Sequence, residues 1–152
     1  FIICQDVFEH LKNPVTALKK IVKILKKGGV LSIGTTNADY IKLNDLEKCI
    51  MQLHQPYHRH ILSEKSLILL ANKAGLKVQK IYHRYYADNW LPFANQKFRA
   101  EYSFLWGNIL DTIFDKKLEF KKILSPRLFF YGIFGYFFPP RTEMEILFQL
   151  SN

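Results

Sequence analysis

The stretch Phe1 to Asn37, FIICQDVFEHLKNPVTALKKIVKILKKGGVLSIGTTN, decides how the whole chain is read. Phe1-Ile2-Ile3-Cys4 is an apolar run of strand length, suited to the inside of a sheet. Gln5-Asp6 then turns polar, Glu9-His10 follows, and Asn13 before Pro14 marks a helix start. Asparagine caps free N–H groups, and proline fits the first helical position because its missing N–H has no partner there anyway. Leu18, Ile21, Val22 and Leu25 recur at i, i+3, i+4 and i+7, which is one buried stripe. The lysines of this helix fall on its other side and in its last turn, where cations are favoured. Gly28-Gly29 is read as the helix end. VLSIGTT follows as a short β-branched strand that stops at Asn37. Strand, helix and strand make a βαβ unit, whose crossover predicts parallel strands.

Working outward, Leu43 to about His54 has helical spacing, with Leu46, Ile50 and Leu53 on one stripe. The loop HQPYHRH separates it from a helix capped by Ser63, which turns Leu67, Leu70, Ala71 and Ala74 inward and ends at Gly75. LKVQKIYHRYY reads as a further strand. The order β-α-β-(α)-α-β predicts an α/β sheet covered on both faces. Asp88 to about Pro140 breaks this rhythm with two or three helices rich in Phe, Trp and Tyr, interrupted at Ser125-Pro126. EMEILFQLS then alternates, with Met144, Ile146, Phe148 and Leu150 on one face, and is read as a strand returning to the sheet. The expected division is 1–88, core; 89–140, helical insertion or lid; 141–152, final core strand.

Composition bounds the reading. Of 152 residues, 49% are hydrophobic and 23% charged, which fits a folded chain and excludes a disordered one. The formal charge is +9, and the basic residues line helix faces instead of interleaving with aromatics, so no nucleic-acid partner is expected. The 2 cysteines, Cys4 and Cys49, support neither a disulfide framework nor a zinc site. The apolar run LFFYGIFGYFF, Leu128 to Phe138, falls short of the roughly 20 residues of a bilayer span. A cytoplasmic location is the expectation.

Residues 1–37 resemble the second half of class I S-adenosylmethionine-dependent methyltransferases, in the group that includes ubiquinone-biosynthesis-type enzymes. The shared order is an apolar strand, a polar turn, "EH", a helix of the form L..I...LK.GG and a strand ending in a small or polar residue. HRHILSEKSLILLANKAGLKV resembles their next segment, and the likeness runs to about residue 86. It implies a partial Rossmann-like methyltransferase sheet made of the C-terminal strands, mostly parallel with an antiparallel last strand, plus the aromatic-rich helical insertion. It implies S-adenosylmethionine as cofactor, a small-molecule acceptor, and a missing N-terminal half of the same fold that carries the glycine-rich loop. Gly28-Gly29 precedes a strand and cannot serve as that loop. Weak or absent cofactor binding by the isolated chain follows from this resemblance.

The resemblance sets the turn Cys4, Gln5 and Asp6 beside the cofactor. Methyl transfer from a sulfonium needs chiefly a positioned acceptor in a dry pocket, and a base only where the acceptor must lose a proton. His54, His58 and His60 are the candidates for that base, with His58 the assigned catalytic residue. Asn37, His60 and Trp90 are the assigned substrate contacts. Three histidines are also a metal set by type, but no carboxylate or cysteine accompanies them in this loop, so no metal is expected. Glu9 and His10 are an acid/base pair by type and equally a cap or packing pair. Trp90, Phe93, Phe98, Tyr102, Phe104 and Trp106 form either a lid over a bulky acceptor or ordinary helix packing. The Leu128–Phe138 run, with Lys121, Lys122 and Arg127 before it, also fits a peripheral membrane contact. A non-catalytic, partner-binding remnant is the competing class.

Overall fold

The computed structural model describes residues 1–42, 44, 49–53, 57–105 and 125–151. In chain order these form β1 (Ile2–Gln5), α1 (Pro14–Ile24), β2 (Val30–Thr36), α2 (Ile50–Leu53), α3 (Glu64–Lys73), β3 (Leu76–Tyr82), α4 (Gln96–Phe104), α5 (Pro126–Phe134) and β4 (Glu143–Leu150). Single 3-10 turns lie at Phe8–His10, Ala38–Tyr40 and Gly135–Phe137. The chain divides into two units. One comprises Phe1–Ile41, His54–Tyr86 and Arg141–Asn152, the other Lys42–Leu53 and Ala87–Pro140.

The first unit is a four-stranded sheet in the order β1-β2-β4-β3. β1 pairs parallel with β2, Cys4 facing Ile33. β4 runs antiparallel between β2 and β3, with Ile33 opposite Ile146 and Leu31 opposite Phe148. β1, β2 and β3 therefore point one way and β4 the other. The two-residue period of a strand sends Leu31, Ile33, Met144, Ile146 and Phe148 to one face, where all are buried. α1 adds Leu18 and the following Leu25 to that core, and α3 adds Leu67 and Ala71.

Among the described helices of this unit, α1 and α3 thus cover the same face, where the order of elements predicts helices on both. Successive right-handed crossovers that advance in one direction across a sheet leave their helices on one side. β1 to β2 and β2 to β3 both advance in this sense. The opposite face carries Gln5, Ser32, Gly34 and Glu145, together with Ile3, which is 66% exposed.

The local signals set these boundaries with two adjustments. Asn13 Oδ1 accepts from Thr16 N at 3.0 Å and Ser63 Oγ accepts from Ser66 N at 3.1 Å, so both caps act as expected. α1, however, stops at Ile24: Leu25 is already extended (φ −77, ψ 127) while its side chain stays in the core. The left-handed turn falls later, at Gly28 with φ +68. β3 ends at Tyr82, so Tyr85 and Tyr86 lie beyond the strand.

In the second unit α4 and α5 share a small core of Phe98, Tyr102 and Leu128. Asn95 organises it. Its Oδ1 accepts from Phe98 N at 2.9 Å, capping α4, while Nδ2 donates to the Tyr131 and Gly132 carbonyls at 2.9 and 3.1 Å. Among the described residues no helix is long and apolar enough to cross a membrane. Leu46, His54, Trp106, Lys121 and Lys122 lie outside the described residues.

Candidate functional site

Open α/β sheets bind ligands beyond the carboxyl ends of parallel strands, where loops leave backbone groups unpaired. Here β1 and β2 end side by side, at Gln5 and Thr36. The chain leaves β1 through Asp6, which is left-handed at φ +50 and donates its N–H to the Gly34 carbonyl at 3.0 Å. That conformation is uncommon outside glycine, and Asp tolerates it better than most residues. The Asp6 carboxylate accepts from the Tyr85 hydroxyl at 2.8 Å, and Tyr85 in turn lies 3.3 Å from the Tyr86 hydroxyl. Burial first, then the bonds to Tyr86 and Asp6, raises the Tyr85 phenol well above its usual value. Tyr85 therefore stays protonated and anchors the turn as a donor. Its place was hidden in sequence because YY reads as the end of a strand.

Of the expected cofactor residues, Cys4 points into the core, where burial and then the Glu9 charge raise its thiol. The Gln5 side chain crosses the polar sheet face. Its Nε2 donates to Ser32 Oγ at 2.8 Å and to Glu145 Oε1 at 3.0 Å, and Ser32 Oγ donates to the same oxygen at 2.7 Å. Gln5 occupies the space above Gly34, where an added Cβ would collide with Gln5 Oε1. That oxygen is buried and has no hydrogen-bond partner among the described residues.

The loop between Tyr57 and His60 is tied to the turn after β1. The N–H groups of Arg59 and His60 both donate to the Glu9 carbonyl, at 2.8 and 3.1 Å. The His10 Nδ1 lies 3.0 Å from the Tyr57 carbonyl, which only accepts, so that nitrogen carries the proton. These ties bring His58, largely buried, edge-on to His10 with ring centroids 4.7 Å apart. Glu9, 2% exposed, accepts at Oε2 from the Thr35 hydroxyl at 3.0 Å. One donor atom each from Glu9, His10 and His58 lie within 4.8 Å of one another. Of the described loop histidines only His58 belongs to this group, and Glu9, 49 positions before it, brings a carboxylate beside it.

The expected substrate contacts lie on different elements. Asn37, fully buried, accepts at Oδ1 from Asp39 N at 3.1 Å, while its Nδ2 is buried without a partner among the described residues. It pairs with Leu62 just before Ser63 caps α3. His60 enters through its backbone N–H, beside the Glu9 cluster. Trp90 belongs to the second unit and is 72% exposed. Elsewhere His83 pairs with Glu64 at the surface.

A Rossmann-like sheet with polar groups gathered at the carboxyl ends of adjacent parallel strands places the chain in the α/β class. The methyltransferase domain family model matches residues 1–81, and the chain belongs to that family. No curated protein matches it. Among solved structures it is similar to a protein from Galdieria sulphuraria assigned as a sarcosine dimethylglycine methyltransferase. That likeness has 19% identity and a TM-score of 0.52, covering 99% of this chain and 52% of the other. A protein from Bacillus halodurans assigned as a methyltransferase aligns at 12% identity and TM-score 0.51, over 99% of this chain and 63% of its own. A Haloferax volcanii complex of the Trm112 methyltransferase activator with a methyltransferase-assigned protein aligns at 12% identity and 0.51, over 99% and 53%. These likenesses show the fold. The chain spans about half to two thirds of the length of these structures.

Proposed function

We propose that this chain supplies the C-terminal half of an S-adenosylmethionine-dependent methyltransferase acting on a small-molecule acceptor. The observation that carries the reading is the polar carboxyl edge of β1 and β2 within a chain whose residues 1–81 match the methyltransferase domain. Two buried groups at this edge lack partners among the described residues, the acceptor Gln5 Oε1 and the donor Asn37 Nδ2, and a polar ligand satisfies such groups. The turn Cys4, Gln5 and Asp6 would hold the cofactor, chiefly through backbone groups, with Tyr85 fixing Asp6. When bound, S-adenosylmethionine supplies an electrophilic methyl group on a good leaving group.

The chain's own residues position the acceptor. His58, with Glu9 and His10 beside it, would line the acceptor side and hold a proton or hydrogen bond there. Asn37 and His60 would contact the acceptor from β2 and the loop, and Trp90 and the aromatic insertion would cover a bulky one. The outer edge of β1 has no partner among the described residues, and Ile3 beside it is exposed, which supports further parent strands carrying the glycine-rich loop. One observation favours a second reading, a peripheral membrane contact. Phe129, Phe130, Phe134, Phe137 and Phe138 are all exposed on and just after α5.

Calorimetry with S-adenosylmethionine tests the division of labour. The full-length protein binds, and the isolated 152-residue chain binds far more weakly or not at all. Micromolar affinity in the isolated chain overturns the split site, and no binding by the full-length protein overturns the cofactor assignment. In the full-length protein His58→Ala slows turnover and leaves cofactor affinity unchanged; unaltered turnover removes His58 from the acceptor site.

A further inference from the structure

We infer that Glu9, His10 and His58 form a binding site for a divalent first-row transition cation, with zinc the best match. The donor set is two imidazoles and one carboxylate, which suits zinc and leaves a fourth position for water or a ligand oxygen. One donor atom from each residue already lies within 4.8 Å of the others. Ligands about 2.1 Å from a tetrahedral ion stand roughly 3.4 Å apart, so small side-chain rotations of about 1 Å close the site.

Three features distinguish this cluster from a chance meeting of polar side chains. Glu9 is 2% exposed, yet no lysine or arginine among the described residues forms an ion pair with it. A buried carboxylate without a cation is costly, and the groups packed beside it are metal-ligand types. The Thr35 hydroxyl holds Oε2, and no described hydrogen bond claims Oε1. The His10 Nδ1 proton is committed to the Tyr57 carbonyl, which leaves the lone pair of Nε2 for a cation. An outer-shell carbonyl of this kind commonly orients a metal-bound histidine. Lastly, both Arg59 and His60 N–H groups clasp the Glu9 carbonyl, fixing His58 against Glu9 by backbone bonds on the residues that follow it. These bonds fix the backbone frame on which the three side chains meet.

The test is titration of the tag-free full-length protein with Zn2+ after chelator treatment, in the absence of S-adenosylmethionine and acceptor. Its outcome is therefore separate from that of the methyl-transfer reading. The expected result is one saturable ion per chain at micromolar affinity or tighter. His58→Ala and His10→Ala should each weaken it by more than about 100-fold, the upper end of what loss of an outer-shell partner causes. His83→Ala, on the surface pair with Glu64, should leave it unchanged. Far-ultraviolet circular dichroism checks that each variant folds. His10 is the more exposed histidine of the pair and decides the matter if His58→Ala does not fold. Absence of saturable binding, or binding that survives His10→Ala, overturns the site.

Discussion

The two units of this chain use aromatic and aliphatic residues in opposite ways. In the sheet unit Leu31, Ile33, Ile146 and Phe148 are completely buried, because a strand period of two assigns every second side chain to the core. In the helical unit Phe98, Tyr102 and Leu128 are buried, but Phe129, Phe130, Phe134, Phe137 and Phe138 all remain exposed. Apolar content alone therefore does not mark a core. What marks it is a partner surface at the right period, which the sheet supplies for its own helices. In the helical unit α4 and α5 are joined by the small Phe98, Tyr102 and Leu128 core together with the hydrogen bonds of Asn95.

The largest effect expected to test this contrast compares two phenylalanines. Phe148→Ala should cost about 3–5 kcal/mol in urea unfolding, as the loss of a fully buried ring does. Phe137→Ala, at a residue 73% exposed, should stay within about 0.5 kcal/mol. Equal losses at both sites would mean that Phe137 is buried in solution. A middle-sized effect falls on Asn95→Ala, which removes a cap and takes one donor from each of the Tyr131 and Gly132 carbonyls, which keep the Gly135 and Phe93 N–H groups. About 1–3 kcal/mol is expected, with hydrogen exchange accelerating in α4 and α5 and unchanged in the sheet.

The smallest effect concerns Glu101, whose carboxylate lies 2.9 Å from both Lys97 and Arg127. Burial pushes its pKa up, but the two cations more than offset that and hold it below the ordinary carboxylate value of 4.5. A depressed folded value stabilises the fold above the unfolded pKa, and this contribution fades as pH falls through the folded one. Arg127 is 72% exposed, so Glu101→Gln should cost no more than about 1 kcal/mol at neutral pH. That difference between wild type and variant should disappear in acid, below pH 4.5. A difference that persists unchanged there would sink the ion-pair account.

Much of the sheet unit was legible residue by residue. Asn13 and Ser63 cap the helices the sequence predicts, and the alternation in EMEILFQL predicts which side chains face the core. These are local signals, carried by neighbours within a few positions. The end of α1 was misread because Gly28-Gly29 is a strong stop, while the buried Leu25 leaves the helix earlier. That α1 and α3 share one face was missed for another reason. It depends on the direction in which successive crossovers advance, and β4 reaches its place between β2 and β3 from the far end of the chain.

The candidate site divides along the same line. Gln5-Asp6 could be marked from sequence because a polar turn ending an apolar strand is a local event. Tyr85 on Asp6, 79 positions away, and Glu9 against His58 could not, since nothing in the intervening residues encodes their meeting. By itself the sequence determined the strands and helices of the sheet unit, the caps of α1 and α3, the buried face of β4 and membership of the methyltransferase domain family. Only the tertiary structure decided that a buried carboxylate and two histidines share one small volume. Side-chain period and capping act over one or two turns of chain, whereas the meeting of distant loops is set by strand order and by hydrogen bonds such as those of Arg59 and His60 to Glu9.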